Sequence, residues 1–243
     1  DVVAAKIDAL EASPTQGIML GSGMGAISAV FLGLLKSGDH IVAGDQLYGR
    51  SLRLLTQDLP RFGIECTFVD AGDAANVAAA MRPETKLVMV EVVSNPTLRI
   101  ADIDGIAAVT AQHDNALLML DNTFTTPRAI RAYDHGADVV VHSVTKLLAG
   151  HSDVTLGYVS VADPTLRQPI VDAAVTWGLT PSPWDCWMAE RGMHSFDLRF
   201  DRAQQTAGQI ADHLAGLDGV DAVIYPGRAD HPDAAKAQAL LGQ

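Results

Sequence analysis

The sequence predicts an α/β fold, a mostly parallel sheet wrapped by helices on both faces. Three observations carry this expectation. Short apolar runs with strand character alternate along the chain with helical stretches, and the links between them are short. Two of the runs, 117–121 and 138–142, are apolar almost throughout, as strands buried on both faces are. Polar residues gather just past the ends of these runs, where open parallel sheets bind ligands.

Taken in order, Val3, Ile7 and Leu10 give residues 1–12 a helical spacing. Residues 17–20 read as a short strand, and Gly21-Ser-Gly-Met-Gly25 as a tight turn. A helix follows, with Ile27, Val30, Phe31, Leu34 and Leu35 on one side, closed by Lys36 and a C-cap Gly38. Residues 40–43 form the next strand, and 48–59 a helix stopped by Pro60. Strands at 64–69 and 86–91 flank a helix that includes 76–81 and ends before Pro83. A helix over 102–113 precedes the strand at 117–121, and one near 128–134 precedes the strand at 138–142. Leu156 to Val161 alternates better and reads as a further strand, open to an antiparallel position. A helix over 164–174 ends before the break at Thr180-Pro-Ser-Pro183. A long helical stretch runs from Trp184 to about Leu217, with Gly192 marking a bend. Val220 to Tyr225 reads as a strand and 234–243 as a helix. The chain thus divides into a large unit, 1–217, and the start of a second, 218–243, which is too short to bury its own core.

At 243 residues, with 48% hydrophobic and 19% charged residues, a sizeable core is within reach. The net charge is −12 and no Lys/Arg cluster interrupts it, which argues against nucleic acid and anionic membrane partners. No apolar run approaches transmembrane length. Cys66 and Cys186 lie far apart in apolar surroundings, which fits a reduced, cytoplasmic protein. The chain starts without an initiator Met or a signal-peptide pattern, as an excerpt of something longer would.

The chemistry centres on Val139-Val-Val-His-Ser-Val-Thr-Lys146. A lysine straight after a buried strand is costly without chemistry or a partner. Ser143 and Thr145 beside Lys146 suit a phosphate and an aldehyde on one molecule. Asp121 ends the neighbouring apolar run, and parallel strand ends share one edge. The pair fits pyridoxal phosphate, with Lys146 condensing with the aldehyde and Asp121 on the ring nitrogen. The alternative is a salt bridge at a sheet edge. Gly21-Ser-Gly-Met-Gly-Ala26 matches G-x-G-x-x-A between strand and helix, with Asp45 after the next strand. That is a dinucleotide fingerprint, yet any phosphate on a helix N-terminus wants the same glycines. Tyr48, past the strand at 40–43, can stack on a planar cofactor and move protons. Asn95, past the strand at 86–91, can bond a phenolic oxygen. Each also has a plain reading, as packing and as a turn. His142, His151 and Asp153 match no common zinc spacing. Trp184, Trp187 and Met188 read as helix packing.

Together these residues resemble the Cys/Met-metabolism family of pyridoxal-phosphate enzymes. The group includes cystathionine gamma-synthase, the cystathionine lyases, methionine gamma-lyase and the homoserine-ester sulfhydrylases. The resemblance runs through Gly21–Ile27, Lys36–Val42, Leu47–Gly49, Leu59–Gly63, Ser94–Pro96, Asp121–Phe124, Gly136–Ser143, Thr145-Lys146, Gly150–Val154, Ser182-Pro183 and Tyr225–Gly227. It implies a type I aminotransferase-like fold. It also implies Lys146 as the cofactor-bonding lysine and Asp121 as the ring-nitrogen partner. Gly23 and Met24 would give backbone N–H groups to the phosphate, and Ser143 and Thr145 hydroxyls. Tyr48 would stack on the ring as acid/base, Asn95 would lie near the phenolic oxygen, and Thr123 beneath the ring. The sequence departs from the family at Val92-Val93, where Ser-Pro is usual, and at Leu147, where a tyrosine is usual. The family also carries an N-terminal arm that reaches the neighbouring subunit and a C-terminal domain with a carboxylate-binding arginine. The 243 residues match neither, so the C-terminal domain is expected to be largely absent from them.

The expected activity is elimination or replacement on sulfur amino acids or homoserine esters, most like cystathionine gamma-synthase or gamma-lyase. Sulfhydrylase and methionine gamma-lyase activity are the alternatives within the family. A NAD-dependent dehydrogenase and a non-catalytic remnant are the alternatives outside it. The family further implies a small amino-acid substrate and a homodimer or homotetramer with shared active sites.

Overall fold

The computed structural model describes residues 2–242. Its strands are β1 (Ile18–Leu20), β2 (His40–Gly44), β3 (Glu65–Val69), β4 (Thr85–Glu91), β5 (Leu117–Asp121), β6 (Val139–Ser143) and β7 (Gly157–Val161). They form one sheet in the order β1-β7-β6-β5-β4-β2-β3. β2 to β6 run parallel, and β7 is antiparallel to both β6 and β1. The helices are α1 (Val2–Glu11), α2 (Gly23–Leu34), α3 (Gly49–Arg53), α4 (Ala74–Ala80) and α5 (Ile103–Thr110). After them come α6 (Thr126–Ala129), α7 (Arg167–Thr176), α8 (Pro183–Met193), α9 (Phe196–Ala215) and α10 (Ala234–Leu241).

The period of two along each central strand builds two apolar layers. Ile41, Leu87, Met89, Met119, Val139 and Val141 join Ile27, Val30 and Phe31 of α2 and Ile170 of α7. Val42, Val88, Val90, Leu118, Leu120 and Val140 point the other way, onto Val77 of α4, Ile103 and Ile106 of α5 and Ala237 of α10. Both faces are therefore covered, which is why these runs carry almost no polar residue. A third cluster packs Val3 and Ile7 of α1 and Phe196 of α9 around Val144, Leu148 and Tyr158. It supports the loop that holds Lys146.

Several elements differ from the sequence expectation, for local reasons. The helix over 48–59 is α3 followed by a wide π turn, Leu54–Asp58, and a 3-10 turn, Leu59–Phe62. Pro60 has no N–H to continue the ladder, and Gly63 at φ 74° ends it. The helix near 128–134 splits into α6 and a 3-10 turn, Ala132–His135, ended by Gly136 at φ 78°. The long stretch from 184 is two helices, α8 and α9, parted at His194 and Ser195. Gly192 lies inside α8 and serves close packing: a Cβ there would come within 2.5 Å of the Ala149 carbonyl oxygen. Residues 220–225 form no strand. No sheet edge meets them, and the Tyr225 hydroxyl instead donates to the Gln204 carbonyl of α9 at 3.3 Å. Beyond them Asp233 accepts from Arg99 Nε at 2.6 Å and from the Ile100 N–H at 3.1 Å, which seats α10 on the sheet. Among the described residues no helix is long and apolar enough to cross a membrane.

Candidate active site

The C-terminal ends of β2, β4, β5 and β6 open onto one cavity of about 230 Å³. Its wall includes Gly23, Met24, Tyr48, Asn95, Asp121, Thr123, Ser143, Thr145 and Lys146. The structure thus brings together every site residue read from the sequence. They come from both sides of β4, where the crossover from β3 reverses the direction in which strands are added. Such reversal points are where parallel sheets open a crevice.

One end of the cavity is built for an anion. Ser22 caps α2, its Oγ accepting the Gly25 N–H at 2.9 Å. The N–H groups of Gly23 and Met24, in the first turn, have no intrahelical acceptor and carry the positive end of the helix dipole. A Cβ on Gly23 would lie 2.7 Å from the Ser143 Cβ, so only glycine lets α2 approach β6 this closely. Ser143 Oγ has no hydrogen-bond partner among the described residues, and its backbone N–H donates to Thr123 Oγ1 at 2.8 Å. Thr145 Oγ1 accepts the Leu156 N–H at 3.0 Å and donates to the Leu156 carbonyl at 3.1 Å. Its proton is engaged there, which leaves Ser143 as the hydroxyl with a free donor.

The other end is built for a cation. Asp121 Oδ1 accepts the Thr123 N–H at 3.0 Å. Among the described residues Asp121 forms no ion pair, and Lys146 is not bonded to it. The salt-bridge reading of this pair is therefore not what the structure contains. Burial raises the Asp121 carboxyl above its usual range, against the Thr123 hydrogen bonds and the charge of His142, which lower it. A buried carboxylate without a cation suits a ligand that brings one. Lys146 is exposed in the cavity, and its Nζ has no hydrogen-bond or ion-pair partner among the described residues. Tyr48 is likewise exposed and lines the cavity. Phosphate cradle, carboxylate, free lysine and aromatic ring together fit pyridoxal phosphate.

Three supporting groups escaped the sequence reading. Glu91, at the end of β4, is buried and lines the cavity. Its Oε1 accepts the Tyr48 N–H at 2.7 Å and its Oε2 the Asn95 N–H at 2.9 Å. Burial, and after it the Asp121 charge, push Glu91 up to about 8. Behind Asp121, Glu11 Oε1 of α1 accepts from His142 Nε2 at 2.6 Å and Asn122 Nδ2 at 2.7 Å, all three fully buried. Arg199 of α9 donates to the carbonyls of Leu147 at 2.9 Å, Leu148 at 3.1 Å and Gly192 at 3.0 Å. It thereby fixes the loop after Lys146. Glu91 carried a signal, a carboxylate on an otherwise apolar strand; Glu11 and Arg199 lie on helices, where nothing in the sequence sets them apart from solvated charges.

The rival motifs resolve differently. β1 lies at the sheet edge, antiparallel to β7, and five strands separate it from β3. A dinucleotide fingerprint needs its glycine turn after a central parallel strand, so the G-x-G-x-x-A match lacks its context. His142 is spent on Glu11, and His151 Nδ1 on the Ala149 carbonyl at 2.7 Å. Trp184 and Trp187 do not pack into the core: both are exposed and face each other with ring centroids 5.1 Å apart.

Residues 1–241 match the family model described as Cys/Met metabolism PLP-dependent enzyme. The cystathionine beta-lyase MetC of Bacillus subtilis is 43% identical over 94% of the chain, and the cystathionine gamma-lyase of the same organism 40% over 92%. L-methionine gamma-lyase of Porphyromonas gingivalis is 39% identical over 91%. The chain spans 58%, 60% and 56% of these relatives' lengths. Among solved structures, cystathionine gamma-lyase from Lactobacillus plantarum in complex with L-serine superposes with a TM-score of 0.94 at 37% identity. The match covers 98% of this chain and 62% of that one. A family match along almost the whole chain, on a fold that closes the expected residues around one cavity, makes this chain a member of the Cys/Met-metabolism family of pyridoxal-phosphate-dependent enzymes.

Proposed function

We propose that this chain carries the cofactor site of an enzyme that performs elimination or replacement on sulfur amino acids or homoserine esters. Cystathionine gamma-synthase-like or gamma-lyase-like chemistry is the favoured form. The observation that supports it is the meeting of an unpaired Asp121, an unpaired Lys146 and the α2–Ser143 anion cradle in one cavity. The relatives named above act on cystathionine and methionine, which points to the same substrate class.

When bound, pyridoxal phosphate supplies a ring that accepts the electron pair left as a bond at the substrate's alpha carbon breaks. The chain's own residues do the rest. The N–H groups of Gly23 and Met24 and the Ser143 hydroxyl hold the phosphate, with Thr145 beside them. Asp121 holds the proton on the ring nitrogen. Tyr48 covers the ring and exchanges protons with the leaving group, and Asn95 meets the phenolic oxygen. Lys146 would hold the cofactor through its aldehyde carbon. As a neutral amine its Nζ would move a proton between the substrate's alpha carbon and positions further along the chain.

Residues 1–217 act in this reading as the cofactor domain, and 218–243 open a second domain. The protein works in the cytoplasm as a homodimer or homotetramer whose subunits share active sites. The test is the absorption spectrum with added pyridoxal phosphate, followed by borohydride fixation and peptide mapping. The fixed group belongs on Lys146; on Lys36 or Lys86 it would overturn the assignment. Turnover of cystathionine, O-succinylhomoserine, O-acetylhomoserine and methionine then selects the reaction, and sedimentation of the whole protein reads the assembly.

A further inference from the structure

Glu91 is a buried carboxyl group in the cavity wall. It ends β4 in register with Asp121 at the end of β5. Two carboxylates on adjacent strands facing one cavity repel each other, and burial makes the repulsion stronger. Such an arrangement persists when each carboxylate has a task. Asp121 spends Oδ1 on the Thr123 N–H of its own loop at 3.0 Å. Glu91 spends both oxygens: Oε1 on the Tyr48 N–H at 2.7 Å and Oε2 on the Asn95 N–H at 2.9 Å. Tyr48 follows β2 and Asn95 follows β4, so these are different loops, and the two residues are the ones that flank the ring in the proposed site.

We propose that Glu91 is a positioning residue of this site, a carboxylate clasp that ties the Tyr48 loop to the Asn95 loop beside Asp121. The clasp rests on the pyridoxal-phosphate reading only for what it positions; the two backbone bonds stand without it. The charged and titratable groups around it are Asp121 from β5, and Tyr48 and Lys146, which line the same cavity. It also borders a smaller cavity lined by Asp45, Asp70 and Arg99. A cation held at Asp121 cancels the nearest repulsion, which favours the ionised form of Glu91 and lets both its oxygens accept fully. Binding of a protonated ring is then linked to loss of a proton from Glu91. Glutamine imitates the protonated acid: it keeps one acceptor oxygen and offers an NH₂ group to the second amide.

Two variants of the whole protein test this. In the cofactor-free protein, amide hydrogen exchange reads the clasp directly. Glu91→Leu removes both acceptors, and the Tyr48 and Asn95 amides should each lose protection about tenfold or more. Below about 8, where the wild type is itself protonated, Glu91→Gln should stay close to it; above that pH Glu91→Gln should loosen one of the two. The β5 amides of Leu118 to Leu120 should hold their protection in both variants. Unchanged protection at Tyr48 and Asn95 in Glu91→Leu overturns the clasp. So does an equal loss along β5, which would make Glu91 a general prop of the fold. Titration with pyridoxal phosphate gives a second readout. The wild type should gain affinity over Glu91→Gln as pH rises toward about 8, where Glu91 ionises. A ratio that stays flat with pH overturns the proton linkage. If the wild type forms no borohydride-fixed bond on Lys146, the cofactor reading fails instead, and the exchange result still decides the clasp.

Discussion

Gly23 and Ser143 meet where the start of α2 crosses the end of β6, and their contact leaves no room for a side chain at position 23. A methyl group there would sit 2.7 Å from the Ser143 Cβ and 3.0 Å from its Oγ. Gly23→Ala must therefore push the helix N-terminus off the strand and pull its N–H groups out of line with the hydroxyl. Each lost hydrogen bond to a charged group is worth roughly 1.5–3 kcal/mol. The expected result is at least a tenfold rise in the Kd for pyridoxal phosphate, with the far-ultraviolet circular dichroism unchanged. Equilibrium titration of the variant against the wild type measures it.

Asp121 sets activity against stability. Its carboxyl is raised by burial and has no cation of its own, so its ionised form strains the cofactor-free fold at neutral pH. Asp121→Asn should keep the cofactor bound through the phosphate cradle and Lys146. Turnover should fall by orders of magnitude, because the ring nitrogen loses the group that keeps it protonated. Thermal unfolding of the cofactor-free variant should be no easier than that of the wild type. A variant with near-normal turnover would remove Asp121 from the mechanism.

Glu91 leaves a mark on the pH dependence of stability. The native protein holds it protonated up to about 8, whereas the unfolded chain releases that proton near the ordinary 4.5. Between those values the native state binds more protons, so stability falls as pH rises. The contribution is full below the unfolded value and gone above the native one. Denaturant titrations of the cofactor-free protein across that window should give a falling difference between wild type and Glu91→Gln. A difference independent of pH would mean that Glu91 titrates normally.

Glu11 behaves in the opposite sense. Burial would raise it, but His142, Asn122 and the Ala132 N–H bring its carboxyl below 4.5. Its contribution is therefore present above 4.5 and lost as pH falls through the lowered value. Glu11→Ala strips the partner from a fully buried histidine and amide. Leaving buried polar groups without their partner costs roughly 1–3 kcal/mol each. Chemical denaturation should report a loss of that order, well beyond that of a surface carboxylate such as Glu84.

The sequence carried the strands and the residues of the cavity wall for one shared reason. Buried parallel strands exclude polar residues, so Asp121, Ser143 and Lys146 stood out against apolar runs and marked the strand ends themselves. The helices were legible in place and not in length. Proline and positive-φ glycines divided them at 54–63 and 126–136, where spacing alone continues the pattern. The strand expected at 220–225 failed because β pairing needs an edge, and an edge is a property of the whole sheet. Glu11 and Arg199 were hidden for a similar reason. A charge on a helix is read as solvated until a distant segment, such as His142 or the loop at 147–149, is folded against it.

The cavity wall draws on residues from Ser22 to Thr155, taken from the C-terminal ends of β1, β2, β4, β5 and β6 and the segments that follow them. No stretch of neighbouring residues forms even half of it. Pairings between distant segments are the slow ones in folding, because chain entropy is lost before the contacts form. Forming the cavity therefore requires most of the sheet to be in place. A ligand that touches the whole wall draws its binding energy from the completed sheet and returns it to the sheet, raising the melting temperature of the entire domain together. Occupancy by such a ligand is therefore read in the stability of the whole domain.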